Sequence, residues 1–312
     1  MYVEIRTVKG KTKYYLAHSF REGDKIHKIR KLLGIDLSKD ILEDRKKKAE
    51  RLILDEIEKY KIIKDPLGKE LSKEEIDFVK QLEKEANLRV IHLSESDWKT
   101  FSKLFIYNTN AIEGSELTNI EVKEIIEKDK WPKEKSKEDI AETYGVDEAI
   151  KFIRETKEHI SLGLIQELHK IVFKNSKSFA GEFRKPGQEV VVMGREGIVH
   201  EGAPQSRVIS LLKELIDWYN KYKDKYSLLI LASAAHNQFE NIHPFADGNG
   251  RVGRLLLNNI LLKNGLPPVN IELKQRMEYY KTLQEYEKNK NLRPTIEFLL
   301  KEFKETKKAL KK

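Results

Sequence analysis

Apolar residues follow two different spacings along the chain, and the change of spacing falls near residue 36. Before it, apolar and polar side chains alternate in three runs, Tyr2–Thr7, Lys13–Arg21 and Lys25–Leu33. Alternation with a period of two is typical of strands that bury one face. Gly10 and Gly23 lie between the runs, where turns are needed. The pattern predicts a small antiparallel sheet of three strands.

After residue 36 the apolar residues recur at helical spacing, with charged residues between them. Two segments, Ser72–Glu75 and Thr118–Glu121, have the S/T-x-x-E pattern of a capping box, which marks a helix start. Pro66-Leu67-Gly68 and Trp131-Pro132 interrupt the pattern and predict helix ends. The helices that we predict cover about 38–63, 72–86, 94–107, 118–130, 140–153, 160–173, 207–222, 227–241, 251–263 and 294–310.

Residues 176–204 depart from the helical pattern. Four apolar residues, Val190–Met193, precede a Gly-Arg-Glu-Gly turn, and Ile198–His200 follow it. Two short apolar runs around a glycine-containing turn are typical of a β-hairpin. We therefore predict a mainly α chain in three parts: a basic β-sheet appendage (1–36), a helical arm or connector (37–93), and a helical domain with one hairpin (94–312).

Composition excludes few classes of protein. The 312 residues are 39% hydrophobic and 36% charged, and the absence of cysteine excludes disulfides and thiolate metal sites. The net charge of +9 suggests an acidic or nucleic-acid partner only weakly, because lysines occur along the whole chain. Lys28 and Arg30 give the predicted sheet a basic face that nucleic acid can approach; the alternative is a solvated sheet that packs on the helices behind it.

Membrane insertion is not expected. The first residues lack the apolar core of a signal peptide, and no run approaches the roughly 20 apolar residues of a membrane span. We expect a soluble, cytoplasmic protein. The oligomeric state is left open, with a homodimer as one alternative.

The segment from His243 to Arg254 combines groups that suit a polyphosphate. The Gly248-Asn249-Gly250 turn can present successive backbone N–H groups as an anion-binding nest. The predicted helix that follows adds the positive end of its dipole. Arg251 and Arg254 are three residues apart, so both project from one helix face and can bind phosphate oxygens.

Two further groups of this segment indicate a reaction. Asp247 can hold Mg²⁺ by a single carboxylate, with water and phosphate as the other ligands. His243 has an ordinary pKa of about 6.5 and can take a proton from a hydroxyl near neutral pH. Phe245 is interpreted as a core anchor of the loop. His169 and His236 are interpreted as structural hydrogen-bonding residues.

The sequence from His243 to Arg254, HPFADGNGRVGR, matches the motif HxFx(D/E)GNGRxxR at every defined position, and the chain therefore resembles the Fic family. The resemblance implies a Fic-type helical domain that transfers AMP from Mg²⁺-ATP to a Ser, Thr or Tyr hydroxyl of a target protein. It also implies that His243 is the base and Asp247 the metal ligand. Gly248, Asn249 and Gly250 would hold the phosphates, with Arg251 and Arg254 on the β- and γ-groups.

Three further segments extend the resemblance. Residues 109–114, Thr-Asn-Ala-Ile-Glu-Gly, resemble the inhibitory motif (S/T)xxxE(G/N) of many Fic proteins, which implies that Glu113 pairs with Arg254. The hairpin region 184–200 lies where the family has its flap, which covers the nucleotide and holds a target segment by strand addition. Many relatives have a winged helix after the Fic core; we do not expect one within these 312 residues, because too few follow the predicted core. The remaining nucleotide contacts that the resemblance implies are Met193, Gly194, Tyr279 and Tyr280.

Three alternatives stay open at this point. The chain could remove AMP from a modified target, or transfer UMP or phosphate in place of AMP. It could also be a DNA-binding regulator whose Fic site modifies only itself.

Overall fold

The computed structural model describes residues 1–8, 10–22, 25–68, 71–85, 93–194 and 197–310. The side chains of 191–199 lie outside this description, so the nucleotide contacts predicted for Met193 and Gly194 concern residues of which only the backbone is described. The chain forms two compact units, 1–62 and 63–312. The helical segment predicted over 37–93 is therefore divided between the two units.

The first unit is a three-stranded antiparallel sheet with one helix. Strands β1 (Tyr2–Val8), β2 (Lys11–Glu22) and β3 (Lys25–Ile35) lie in chain order. Helix α1 (Lys39–Ile63) follows them. One sheet face packs on this helix through a core that contains Leu16, Ile29, Leu33, Ala49, Ile53 and Ile57. The sheet predicted from the alternating pattern is confirmed.

The second unit is helical, as predicted, and contains one β-hairpin. Its strands are β4 (Val191–Gly194) and β5 (Gly197–Glu201), which pair antiparallel. Short 3-10 turns occur at Gln205–Arg207 and Leu273–Gln275. The helices are α2 (Lys73–Glu85), α3 (Glu95–Ile112), α4 (Asn119–Lys128), α5 (Lys137–Glu155), α6 (Leu162–Phe173), α7 (Val208–Tyr222), α8 (Leu228–Ile242), α9 (Asn249–Lys263), α10 (Arg276–Asn289) and α11 (Arg293–Leu310).

Local sequence explains several helix starts. Ser94 caps α3 and Thr118 caps α4, each in a complete capping box. The Ser227 side chain makes no capping hydrogen bond at α8; Glu83 of α2 accepts the Leu229 N–H there at 2.8 Å. Helix α9 begins at Asn249, two residues before the predicted start. Its N-cap residue, Gly248, has a left-handed conformation (φ 81°), which favours glycine.

Helices α8 and α9 form the centre of the second unit. Every residue from Leu229 to Ile242 is buried, and so are most residues of α9. A helix buried on all sides has neighbours around its whole circumference. Within the described ranges, no helix combines the length and the apolar character that crossing a bilayer requires. Because both helices are buried, the turn that joins α8 to α9 starts and ends in the core of this unit.

Candidate active site

His243 lies at the point where the chain leaves α8. It adopts a left-handed conformation (φ 53°, ψ 62°), which is uncommon for a residue other than glycine. Its Nδ1 lies 3.2 Å from the carbonyl oxygen of Glu240. A carbonyl oxygen only accepts, so Nδ1 carries the proton of the neutral ring and Nε2 keeps a free lone pair.

The environment of His243 keeps its ring neutral. Burial, followed by repulsion from the nearby His200, lowers the pKa of His243 to about 4. The ring centroids of these two histidines are 5.3 Å apart. Near pH 7 the imidazole can therefore accept a proton, as a general base must.

The loop after His243 is fixed by contacts on both sides. Asn249 accepts the Phe245 N–H at 2.8 Å and donates to the Phe245 carbonyl at 2.9 Å. The Phe245 ring is fully buried and stacks on His169 with centroids 3.9 Å apart. His169 accepts the Gly181 N–H and donates to the Asp247 carbonyl. Phe245 is thus a core anchor and His169 a structural hydrogen-bonding residue, as predicted.

Two glycines of the motif allow close approaches. A Cβ on Gly248 would lie 2.3 Å from ring carbons of Phe173, and its positive φ also favours glycine. A Cβ on Gly250 would lie 2.2 Å from a carboxylate oxygen of Glu113. The Glu113 carboxylate therefore lies against the first turn of α9, where an anion is favoured.

Arg254 is buried, and the described hydrogen bonds of its guanidinium go to the last turn of α3 and to Glu113, the residue that follows it. Its Nε donates to the Thr109 hydroxyl at 2.8 Å, and Nη2 donates to the Thr109 carbonyl at 3.0 Å. Nη2 also contacts the Glu113 carboxylate at 2.6 Å. Burial opposes the positive charge, but the charge of Glu113 outweighs it and raises the pKa of Arg254. The structure thus has the pair that the family resemblance implies.

Arg251 also has a carboxylate partner, which the sequence did not indicate. Its Nη1 donates to Glu142 of α5, and its guanidinium lies 4.5 Å above the ring of Phe173. Its side chain is only 8% exposed. Because Glu142 is 109 residues away in the chain, no local pattern could identify this pair.

Asp247 is the most exposed of the motif's charged groups, with 47% of its side chain exposed. One oxygen accepts the Gly248 N–H at 2.7 Å, and the other lies 3.1 Å from Nζ of Lys177. Burial raises the pKa of Asp247, but the positive charges of Arg251 and Lys177 outweigh it, and the pKa is lowered. Asp247 is therefore ionised near neutral pH. Lys177 is a second site residue that the sequence did not indicate.

The donor set fits Mg²⁺ held largely by its substrate. Across the described ranges, no cluster of three or more His, Cys, Asp or Glu could hold a metal. One exposed, ionised carboxylate is what Mg²⁺ uses when phosphates and water supply its other ligands. Asp247 meets this condition, although Lys177 competes for the same oxygen.

His200 of β5 connects the hairpin to α10. Its Nδ1 lies 3.1 Å from a carboxylate oxygen of Glu287. Its Nε2 is buried and has no hydrogen-bond partner among the described residues. The hairpin is therefore held beside His243 by a polar contact that the sequence pattern did not predict.

The two predicted tyrosines lie at different depths. The Tyr279 hydroxyl donates to Nε2 of His236, and Nδ1 of His236 donates to the Gly253 carbonyl. Both residues are buried below Arg254, so His236 is structural, as interpreted from the sequence. The Tyr280 hydroxyl lies 3.3 Å from Nε of Arg276 and is partly exposed. Of the two tyrosines, Tyr280 is therefore the more accessible.

Comparison with known proteins identifies this arrangement. The Fic/DOC family model matches residues 159–261. The protein adenylyltransferase fic-1 of Caenorhabditis elegans is 36% identical over 208 residues, which make up 64% of this chain and 39% of that protein. The protein adenylyltransferase Fic of Drosophila willistoni is 32% identical over 225 residues, 69% of this chain and 44% of that protein.

The solved structures agree with this result. A Fic-1 fragment from C. elegans is 26% identical to this chain with a TM-score of 0.62, over 88% of this chain and 78% of that fragment. The chain spans about two fifths of the length of the curated relatives named above. With the complete motif on the turn between α8 and α9, the chain belongs to the Fic/DOC family.

Proposed function

We propose that this chain is a protein adenylyltransferase that moves AMP from Mg²⁺-ATP to a hydroxyl side chain of a protein. The observation that carries the proposal is a neutral His243 on the turn into α9, with a free lone pair on Nε2. Two curated relatives that are named protein adenylyltransferases, at 36% and 32% identity, support it.

The first turn of α9 is the proposed phosphate site. Its backbone N–H groups have no helical partners of their own, and the helix dipole adds positive potential. Gly248, Asn249 and Gly250 form this turn, and Arg254 lies one turn further along the helix. In this proposal the γ-phosphate displaces the Glu113 carboxylate from Arg254, because both groups are anions and would contact the same guanidinium.

The proposed reaction is an in-line displacement at the α-phosphorus. The acceptor hydroxyl oxygen bonds to the α-phosphorus while Nε2 of His243 takes its proton. The bond from the α-phosphorus to the oxygen that bridges to the β-phosphate breaks, and pyrophosphate leaves. A bound Mg²⁺, with Asp247 as its protein ligand, supplies positive charge for the pyrophosphate. The chain's own contribution is mostly position and charge.

The proposed acceptor is a segment of another protein, or of this chain itself, with a Ser, Thr or Tyr. Strands β4 and β5 form a two-stranded hairpin, so each has one edge without a strand partner within it. An extended segment can add to such an edge through backbone hydrogen bonds. This brings the hydroxyl to the side of the site where His200 and His243 lie.

The test is His243→Ala in an assay with labelled ATP and autoradiography. Loss of a positioned base costs about 10²–10⁴-fold, so transfer should fall by at least 100-fold. ATP binding, measured by calorimetry, should change little, because the base acts on the acceptor. A variant that transfers AMP at the parent rate would remove His243 as the base and the proposal with it.

A second candidate is removal of AMP from a modified protein, which one observation favours. Glu113 is 28% exposed although its partner Arg254 is buried, so its carboxylate has access to water beside the phosphate site. A carboxylate in that position can orient a water molecule toward a phosphodiester. Purified, AMP-modified chain incubated with Mg²⁺ should then release AMP, and Glu113→Gln should stop the release. If no AMP is released, removal of AMP is excluded and AMP transfer from ATP remains the proposed activity.

A further inference from the structure

The sheet of the first unit has an inner and an outer face of different character. The inner face packs on α1 through Leu16, Ile29 and Leu33. On the outer face Arg6 lies 5.6 Å over the ring of Tyr15, and Lys28 lies 5.4 Å over the ring of Tyr2. These contacts place side chains of all three strands on one exposed surface, which we call the outer face; its residues include Tyr2, Glu4, Arg6, Tyr15, Lys28 and Arg30.

Most of the chain's excess positive charge belongs to this sheet. Residues 1–35 contain nine basic and three acidic residues, which account for six of the nine net charges of the whole chain. Residues 36–62 contain eight of each sign and are neutral. The positive potential of the first unit therefore comes from its strands, and a polyanion is the partner that it favours.

Glu4 organises the basic groups of the outer face. Its carboxylate accepts from Arg6 at 2.6 Å and from Arg30 at 2.7 Å, and Lys28 lies 3.5 Å away. Hydrogen bonds from Arg6 and Arg30 lower the pKa of Glu4 to about 2, so it stays ionised. Three cations from two different strands thus have a defined spacing around one carboxylate.

The dimensions of the sheet suit the major groove of DNA. Neighbouring strands lie about 4.8 Å apart, so three strands span roughly 10 Å. The major groove is about 12 Å wide and admits a two-stranded β-ribbon, and some sheet proteins place their strands in it. On the outer face of the central strand, Ala17 lies opposite Arg30 and Ser19 opposite Lys28. On its other side Ala17 lies opposite Tyr2 of β1. At these two positions the central strand is therefore lower than the long side chains beside it.

We propose that the outer face binds double-stranded DNA, with the sheet in the major groove and its cations on the phosphates. This function is separate from AMP transfer and does not rest on it. Single strands fit less well, because proteins that bind them stack bases on free aromatic rings. Here Tyr2 and Tyr15 each have a cation over the ring.

The test uses the full chain and a labelled duplex of mixed sequence, about 20 bp long, with fluorescence anisotropy over a range of salt concentrations. Each phosphate contact adds about 0.9 to the slope of log K against log[salt]. Replacing Arg6, Lys28 and Arg30 by alanine should weaken binding at least tenfold and reduce the slope by about 2 to 3. The control replaces Lys46, Lys47 and Lys48, which are on α1, by alanine, and should weaken binding less than threefold.

Each result has a defined meaning. Equal loss in the two triple variants would overturn the proposal, because binding would then follow net charge and not the outer face. So would parent protein that fails to bind the duplex at low salt. Tighter binding of a single strand or of duplex RNA of the same length would replace double-stranded DNA as the partner. Thermal unfolding of both variants, followed by circular dichroism, checks that the sheet is intact.

Discussion

Each of the two motif arginines is paired with a carboxylate from a different helix. Arg254 contacts Glu113, the residue directly after α3, and Arg251 contacts Glu142 of α5. The pairs differ in exposure: Glu142 is 6% exposed and Glu113 is 28% exposed. Separating a buried pair leaves an uncompensated charge, whereas a partly exposed carboxylate can move into water. Glu113 is therefore the partner that an incoming phosphate can displace.

Removing the Glu113 side chain should increase transfer. Suppose that, with the Glu113–Arg254 pair formed, only about 1% of molecules can bind ATP in the productive pose. Glu113→Gly then raises turnover up to roughly 100-fold without adding a catalytic group. Labelled-ATP transfer to the chain itself measures this effect. Arg254→Ala in the same protein should cancel the gain, because the phosphate then lacks its cation.

The matched control is Glu116→Gly, since Glu116 is exposed and three residues further along the same loop. It should leave the transfer rate unchanged. If folded Glu113→Gly protein that binds ATP transfers AMP no faster than the parent, the pair does not restrain the enzyme.

Lys177 should weaken the response to Mg²⁺, because it lies 3.1 Å from the carboxylate that would hold the ion. A unit charge at about 4 Å contributes roughly 1 kcal/mol in water, which corresponds to about fivefold in affinity. In Lys177→Ala the Mg²⁺ concentration for half-maximal transfer should therefore fall severalfold. The control is Lys174→Ala, since Lys174 pairs with Glu148 and not with Asp247. Equal Mg²⁺ dependence in both variants would mean that Lys177 does not compete.

At the level of elements, the sequence pattern predicted the features that are set by neighbouring residues in the chain, such as helix starts. The capping boxes at Ser72 and Thr118 and the helices behind them were predictable because a cap and its helix are adjacent in sequence. The left-handed His243 and the contacts of Lys177 and Glu142 were not. They depend on which helices pack together, and no spacing within one segment contains that information.

The packing of α8 on α9 buries an ionisable group that the proposed reaction does not use. Glu240 is buried, and one of its carboxyl oxygens has no partner among the described residues. A Cβ on Gly253 would lie 2.0 Å from this oxygen, so the helices approach closely there. Burial raises the pKa of Glu240 from 4.5 to about 8. The group is therefore protonated in the folded protein at neutral pH.

Relative to the parent, Glu240→Gln should have a free energy of unfolding that is increasingly favourable to the folded state as the pH rises. Between pH 4.5 and 8 the folded state holds a proton that the unfolded state has lost, so this group's contribution to the free energy of unfolding falls by up to about 1.4 kcal/mol per pH unit. Glutamine is neutral at every pH and lacks this loss. Urea unfolding of both proteins at several pH values gives the difference between their free energies of unfolding. The contributions of Glu302 and the buried histidines are the same in both proteins and cancel in this difference. A difference that does not change with pH would mean that Glu240 is ionised in the fold.

For the whole molecule, the division between the units was not evident from the sequence. The helical pattern continues from Ser38 to Ile63, and the break at Pro66-Leu67-Gly68 is short, so an arm of two helices was the natural interpretation. In the structure α1 instead completes the core of the sheet, and α2 caps α8. The chemistry is divided in the same way: every proposed catalytic or nucleotide-binding residue lies at Thr109 or later, whereas six of the nine net positive charges lie before residue 36.

Residues 63–312 should therefore fold and transfer AMP without residues 1–62. This unit has 250 residues and its own core around α8 and α9, which is ample for independent folding. A start at Ile63 keeps the carbonyl that accepts a hydrogen bond from Gln238. Self-modification should stay within about threefold of the full chain, while affinity for the DNA duplex should fall at least tenfold. If a folded 63–312 protein transfers no AMP, the first unit takes part in catalysis; if it binds the duplex as tightly as the full chain, DNA binding belongs to the helical unit.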